Sequence, residues 1–337
     1  MSTYRNCGVP AYLTIVYLLS TFCVCSVNPA QASGQSPSRI TDAQFARSLG
    51  YMDGRAKQDG GEDLHIPTTS DPIRQDKAVK PPPSFKKVMI IVLENISYSA
   101  AMSQDFLAGF AGKGALLANF SAETHPSQGN YIALTAGTVA GVASDKPYNL
   151  KIRHLGDLLE AKGKTWKVYA QGYPGHCFLG ERSGNYVRKH VPFLSYLDVQ
   201  QDPGRCAAIV DDSGFSSDIS GGKLPDFSLF IPDIKNDGHD TGVDYSGKWL
   251  NSYFAPLMKN PDFMKDMLLV ITFDEDDNST ATNHIYTALY GDSVVGGSVS
   301  KGSYTHYSLL RTIEDTLGLG TLGQNDLSAS PVTGIWR

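Results

Sequence analysis

Two apolar runs in this chain each stop abruptly at acid. Val88-Met-Ile-Ile-Val-Leu93 runs into Glu94-Asn95, and Met267-Leu-Leu-Val-Ile-Thr-Phe273 runs into Asp274-Glu275-Asp276-Asp277. Short apolar runs like these read as parallel strands buried on both faces, because a strand with one wet face would alternate. In open α/β sheets, ligands collect just beyond the carboxyl ends of such strands. Two strands that deliver oxygen ligands to one edge therefore point to a metal-dependent site.

From Phe85 onward the pattern alternates. Strands are expected at 88–93, 165–170, 227–231, 267–273 and 285–290, and helices at 105–117, after Asn130, over 154–162 and from His306. Strands alternating with helices predict an α/β domain over 85–337, with a mixed, mostly parallel sheet and helices on both faces. Residues 173–222 break the alternation; they are rich in Gly, aromatics and Asp and read as an excursion capping the site. Residues 33–84 are polar and end in Lys80-Pro-Pro-Pro-Ser84, which reads as an extended arm or pro-like linker with helical character only over Thr41–Leu49.

The N-terminus carries Arg5, an apolar stretch from Tyr12 to Val27, and the small-residue site Ala30-Gln31-Ala32. This is the layout of a secretory signal peptide over 1–32, and the apolar core is shorter than the roughly 20 residues a spanning helix needs. A secreted protein, extracellular or periplasmic, with no stable membrane anchor is expected. Cleavage removes Cys7, Cys23 and Cys25 and leaves Cys177 and Cys206, a pair predicted to form a disulfide in an oxidising compartment. The sequons at Asn119 and Asn278 agree with secretion. A net charge of −5 and 41% apolar content allow a large core and give no footprint for nucleic acid.

Glu94, Asn95, Asp274 and Glu275 offer three carboxylates and an amide oxygen, the ligand set of a hard divalent cation. Either pair alone would read as solvated residues at a strand end; their joint placement favours a metal. The stretch Thr124-His-Pro-Ser-Gln-Gly-Asn130 turns from loop into helix with Ser127 near the helix N-terminus. By itself such a serine reads as an N-cap, but beside a metal it becomes a candidate nucleophile. Asp237, His239 and Asp240 crowd a turn after a strand, and His306 opens an amphipathic helix. These residues suit either a second ion or general-acid and phosphate contacts.

Six motifs occur in the order seen in the phosphoesterase family: Val92-Leu-Glu-Asn95, His125-Pro-Ser-Gln-Gly-Asn-Tyr131, Lys189-His-Val-Pro-Phe193, Asn236-Asp-Gly-His-Asp240, Thr272-Phe-Asp-Glu275 and Tyr304-Thr-His-Tyr-Ser308. Over about 85–320 the chain thus resembles a family that groups secreted acid phosphatases with phosphatidylcholine-type phospholipases C. The resemblance implies an alkaline-phosphatase-like fold, a divalent metal on Glu94, Asn95, Asp274 and Glu275, and Ser127 as nucleophile and metal contact. It also implies that His190, His239 and His306 line the phosphate pocket, with Asp237 and Asp240 in the same motif as His239. We assign Ser127, His239 and His190 to catalysis, Asn130, His306 and Asp240 to substrate, and Asp237 to the metal set. Gly129 departs from the Pro that many relatives carry in this loop.

The activity implied is hydrolysis of small-molecule phosphate monoesters through a phosphoserine. The alternatives are a phosphodiesterase or phospholipase C, for which Tyr173, Phe178, Tyr186, Phe193 and Tyr196 could form a choline cage, and a secreted binding protein without catalysis. Asn95 also begins a sequon, but a metal ligand in a narrow cleft has no room for a glycan.

Overall fold

The computed structural model describes residues 80–337. The expected signal peptide and, apart from residues 80–84, the arm with its helical stretch at Thr41–Leu49 lie outside the described residues.

Eight strands form the central sheet: β1 (Lys87–Leu93), β2 (Ala115–Leu117), β3 (Trp166–Ala170), β4 (Ile209–Val210), β5 (Phe227–Ile231), β6 (Met267–Phe273), β7 (Thr287–Tyr290) and β8 (Ser298–Ser300). Their spatial order is β8-β2-β7-β6-β1-β5-β3-β4, and β7 alone runs against its neighbours. The sheet is mixed and mostly parallel, as the apolar runs implied. In β5 and β6 every residue is buried, and in β1 every residue after Lys87, so both faces of the sheet centre are covered. Burying each Val, Leu or Ile there contributes roughly 1.5–3 kcal/mol.

Two expected elements come out differently. The helical stretch 105–117 stops as α1 (Asp105–Lys113), and Ala115–Leu117 is strand β2. The break is Gly114, where any Cβ would collide with the Leu289 carbonyl of the neighbouring β7. The strand expected at 285–290 divides: Thr287–Tyr290 stays in the central sheet. His284–Ile285 joins a small sheet with Phe120–Ser121 and Tyr304–Thr305. That small sheet gathers the 122–125 loop and His306 at the same edge as the ends of β1 and β6.

The excursion at 173–222 folds into a hairpin (Arg182–Ser183 with Tyr186–Val187), two 3-10 turns and short helices, then returns as β4 to the sheet edge beside β3. The predicted disulfide is present, with Cys177 and Cys206 bridged at a Cα–Cα distance of 5.6 Å.

Helix α2 (Gln128–Ala136) is buried throughout and ends at Gly137, whose φ of 69° is left-handed. Asn325 N–H donates to the Gly137 carbonyl at 2.9 Å, and Asp326 accepts from Leu322 N–H at 2.6 Å and Gln324 N–H at 2.8 Å. This clasp fastens the far end of α2. Helix α3 (Leu155–Ala161) is capped by His154, and α4 (Val243–Tyr253) and α5 (His306–Leu317) complete the longer helices used below. On α5, Glu314 is fully buried beside Asp326.

Candidate active site

Sheet register builds the site. Leu93 and Phe273 are paired across β1 and β6, so Glu94 and Asp274 leave the sheet side by side, and Asp274 N–H still donates to the Leu93 carbonyl at 3.0 Å. Glu94 N–H donates to the Asp237 carbonyl at 3.1 Å, which draws in the loop after β5. Asn95 takes a left-handed φ of 45°, a conformation that asparagine tolerates better than most residues, and its N–H donates to Asp274 Oδ1 at 3.1 Å.

Ser127 occupies the N-cap of α2 but makes no capping bond with its side chain. Its Oγ instead lies 3.0 Å from Glu94 Oε2, 3.1 Å from Glu275 Oε1 and 3.2 Å from Asn95 Oδ1. A hydroxyl has one proton to donate, so three acceptor oxygens around it cannot all be hydrogen-bonded by it. Asp274 Oδ2 is buried with no partner, although its carboxyl adjoins that of Glu94. Converging oxygens, one of them orphaned, are the donor set a divalent cation would satisfy. The residues fit such an ion.

The electrostatics agree. Burial, then the charges of Glu94 and Glu275, push the Asp274 carboxyl well above its ordinary range; burial also raises Glu275 and Asp237. Burial opposes ionisation of Glu94 too, but His190 and Lys189 override it and hold that carboxyl down at about 2.

His190 is fully buried, its Nε2 3.0 Å from Glu94 Oε1 and its Nδ1 3.4 Å from Asp237 Oδ2. These are ion-pair distances without hydrogen-bond alignment. Burial would lower its pKa, yet Glu94 and Asp237 push it up to about 9. Its ring stacks on Tyr131 at 5.3 Å, and Tyr131 Oη donates to Glu94 Oε1 at 2.8 Å. Asp237 therefore reaches the cluster through His190, not through Ser127.

Other expected site residues stand elsewhere. Asn130, expected to touch substrate, has its amide engaged: Oδ1 accepts from Glu123 and Thr124 N–H at 2.9 and 3.1 Å, and Nδ2 donates to the Thr124 carbonyl at 2.8 Å. It braces the loop that carries Ser127. His306, also expected in the phosphate pocket, is buried with Nε2–H donating to the Asp274 carbonyl at 2.8 Å, so it holds the chain just past the end of β6. His239 and Asp240 form an exposed pair, Nδ1 to Oδ1 2.8 Å, joined to the site by His239 N–H donating to Asp237 Oδ1 at 2.8 Å.

Three participants carried no sequence signal of their own. His125 Nδ1 lies 2.5 Å from Glu275 Oε2, Tyr131 holds Glu94, and Asp145 accepts from both Gln128 N–H (3.1 Å) and Lys189 Nζ (2.9 Å). The first two sit inside a quoted motif, but nothing local ties residue 125 to residue 275. The aromatic residues considered for a choline cage are core: Tyr173, Tyr186, Phe193 and Tyr196 are buried, and Phe178 packs on Tyr186 at 6.1 Å. Asn119 and Asn278 are exposed, whereas Asn95 turns its side chain to Ser127.

A second group could geometrically admit a metal: ligand atoms of His154, Asp157 and Asp198 lie within 4.8 Å of one another. Arg205 already pairs with both carboxylates, and His154 Nδ1 accepts the capping N–H of Gly156 at 3.1 Å. The guanidinium supplies the positive charge there, so this cluster reads as an ion-pair network.

A mixed, mostly parallel eight-stranded sheet flanked by helices is an alkaline-phosphatase-like α/β fold. A solved member of the alkaline phosphatase superfamily from Vibrio parahaemolyticus has this fold, with a TM-score of 0.53 at 14% identity over 75% of this chain and 72% of that one. The chain belongs to the phosphoesterase family, whose profile matches residues 94–320. It is 34% identical over 261 residues to an acid phosphatase of Aspergillus fumigatus, covering 73% of this chain and 58% of that protein. It is 35% identical over 259 residues to a phosphatidylinositol-3-phosphatase of Mycobacterium tuberculosis, covering 75% of this chain and 84% of that protein. The chain thus spans well under two thirds of the fungal enzyme's length.

Proposed function

We propose that this protein is a secreted, metal-dependent phosphatase of acid-phosphatase type that hydrolyses phosphate monoesters through a phosphoserine at Ser127. The observation that carries this reading is the Ser127 hydroxyl, ringed by Glu94, Asn95 and Glu275 oxygens at 3.0 to 3.2 Å at the N-terminus of a buried helix. The names of both relatives describe removal of a phosphate group, which supports the same class. The Cys177–Cys206 disulfide supports an exported protein.

Glu94, Asn95, Ser127, Asp274 and Glu275 would hold the cation. When bound, it supplies positive charge to a phosphoryl oxygen and lowers the pKa of the serine hydroxyl. Ser127 Oγ passes its proton to Glu275 Oε1, 3.1 Å away, and attacks phosphorus in line with the leaving alcohol, and the helix N-terminus stabilises charge on the non-bridging oxygens. His190 is sealed between Glu94 and Asp237 and works as a fixed positive charge that orders the cluster. His239 is reachable from solvent and oriented by Asp240, so it is the group we assign to protonate the leaving alcohol. Water then cleaves the phosphoserine. Tyr173, Tyr186, Phe193 and Tyr196 are buried in the core and Phe178 packs on it, which favours monoesters over phosphocholine lipids.

The test is release of p-nitrophenol from the mono- and bis-ester by the purified chain, with and without chelator. Chelator-sensitive hydrolysis of the monoester is expected. A bis-ester preference would move the activity to diesterase chemistry, and silence on both esters with metal restored would leave a binding protein.

A further inference from the structure

At the N-terminus of α2 the structure holds a cavity of about 200 Å³, lined by Gln128, Asp145, Glu181, Arg182, Arg188 and Lys189, with Val187 and Pro147 at its walls. Asp145 ties the cavity to the nucleophile: it accepts from the N–H of Gln128, the residue after Ser127, at 3.1 Å and holds Lys189 at 2.9 Å, and the Lys189 charge acts on Glu94, so the cavity adjoins the Ser127 cluster. It is smaller than the about 300–1,000 Å³ of pockets for drug-sized ligands. No aromatic ring among the described residues lines it.

The cavity is built, not incidental. Arg188 is 5% exposed; its guanidinium donates to the carbonyls of Leu179 (2.8 Å), Leu194 (2.8 Å) and Tyr148 (3.1 Å), which pins three loops around the space. Its Nε is buried with no partner. Lys189 is fixed on Asp145 at 2.9 Å. Glu181 and Arg182 stand exposed at the mouth, on the hairpin of an excursion stapled by the Cys177–Cys206 disulfide. The lining thus alternates strong donors with carboxylate acceptors within a small volume. A hydroxyl is the group that is both donor and acceptor, and a compact molecule carrying several of them can satisfy both kinds of lining at once. A bare second phosphate would face Asp145 and Glu181, and an aryl or acyl group would strip water from charges it cannot pair.

We infer that this cavity is the leaving-group subsite and that it selects compact polyhydroxylated alcohols, so that the preferred substrates are phosphate monoesters of the glycerol or sugar type. The inference rests on the phosphatase reading above. Glu181 and Arg182 set the selectivity from the mouth and Lys189 from the floor, while Arg188 holds the loops that shape the space.

Its test compares kcat/KM for glycerol 3-phosphate and glucose 6-phosphate with that for p-nitrophenyl phosphate, in the unmodified full chain and in Glu181→Ala, Arg182→Ala and Arg182→Lys. Arg182→Ala and Glu181→Ala should each lower the ratio of polyol ester to aryl ester about tenfold, the loss of one charge-assisted hydrogen bond, chiefly through KM. Arg182→Lys should recover most of it. If the ratio stays constant while p-nitrophenyl phosphate is turned over, the subsite is wrong and the phosphatase reading stands. If the unmodified chain hydrolyses none of the three esters, the phosphatase reading fails and takes the subsite with it.

Discussion

Glu314 offers a sharp test of how burial sets the chemistry of this fold. It lies fully buried on α5 with both carboxylate oxygens unpartnered. Burial first, then the charge of Asp326, push its carboxyl from the ordinary 4.5 up to about 9. The native state therefore keeps a proton that the unfolded chain releases near the ordinary value. Linkage gives the sign: this contribution is unimpaired below the unfolded pKa, and stability falls as pH rises from there toward 9. At 1.36 kcal/mol per unit, going from pH 5 to pH 8 removes at most about 4 kcal/mol. Glu314→Gln keeps the shape of the side chain and needs no proton to stay neutral. Urea unfolding of both proteins, at about pH 5 and about pH 8, isolates the effect because every other titrating group cancels. The two should agree within about 1 kcal/mol at the lower pH, and the variant should be more stable by about 2–4 kcal/mol at the higher. An offset that is the same at both pH values would mean that Glu314 is ionised in the native state, and the reasoning would fall.

Ser127→Ala should cut kcat by about 10³-fold or more, with the urea midpoint unchanged or raised because one oxygen leaves a crowded acidic cluster; turnover near that of the parent would remove Ser127 as nucleophile. Reducing the Cys177–Cys206 bridge reopens a loop with a sequence separation of 29 residues. Loop entropy then predicts a loss of about 3–4 kcal/mol, read as a fall in the urea midpoint with dithiothreitol, and no shift would show that the bridge constrains nothing. Gly137→Ala forces a left-handed φ of 69° on alanine and drives its Cβ against the Asp326 carboxylate. It should cost about 1–3 kcal/mol and lower kcat by loosening the far end of α2; a neutral outcome in calorimetry would refute the clasp.

The sheet centre was legible because β1, β5 and β6 are buried on both faces and so spell themselves as mostly apolar runs, with only Ser228 and Thr272 as small polar interruptions after Lys87. Ala115–Leu117 was not, since Ala-Leu-Leu suits a helix and only the approach of the Leu289 carbonyl to Gly114 decides otherwise. In the site, Glu94, Asn95, Asp274, Glu275 and Ser127 were legible as acid at strand ends and a serine at a helix start. The structure brings those five together. What the sequence could not express is which way a side chain faces after long-range pairing. His306 looked like a phosphate ligand and instead holds the Asp274 carbonyl, Asn130 braces its own loop, and His125 meets Glu275 only because the small sheet folds its loop across the edge.

The joints of the site are separated widely along the chain. Asn95 N–H reaches Asp274 across 179 residues, and Ser127 Oγ reaches Glu275 across 148. Contacts of that span carry the greatest loop-closure entropy, so they form only when β6 zips against β1 at the middle of the sheet. Three mutually repelling carboxylates must converge at that moment. The order of assembly follows from this: a chain still being made carries Glu94 and Ser127 long before Asp274 and Glu275, and the cluster is complete only once β6 has paired with β1.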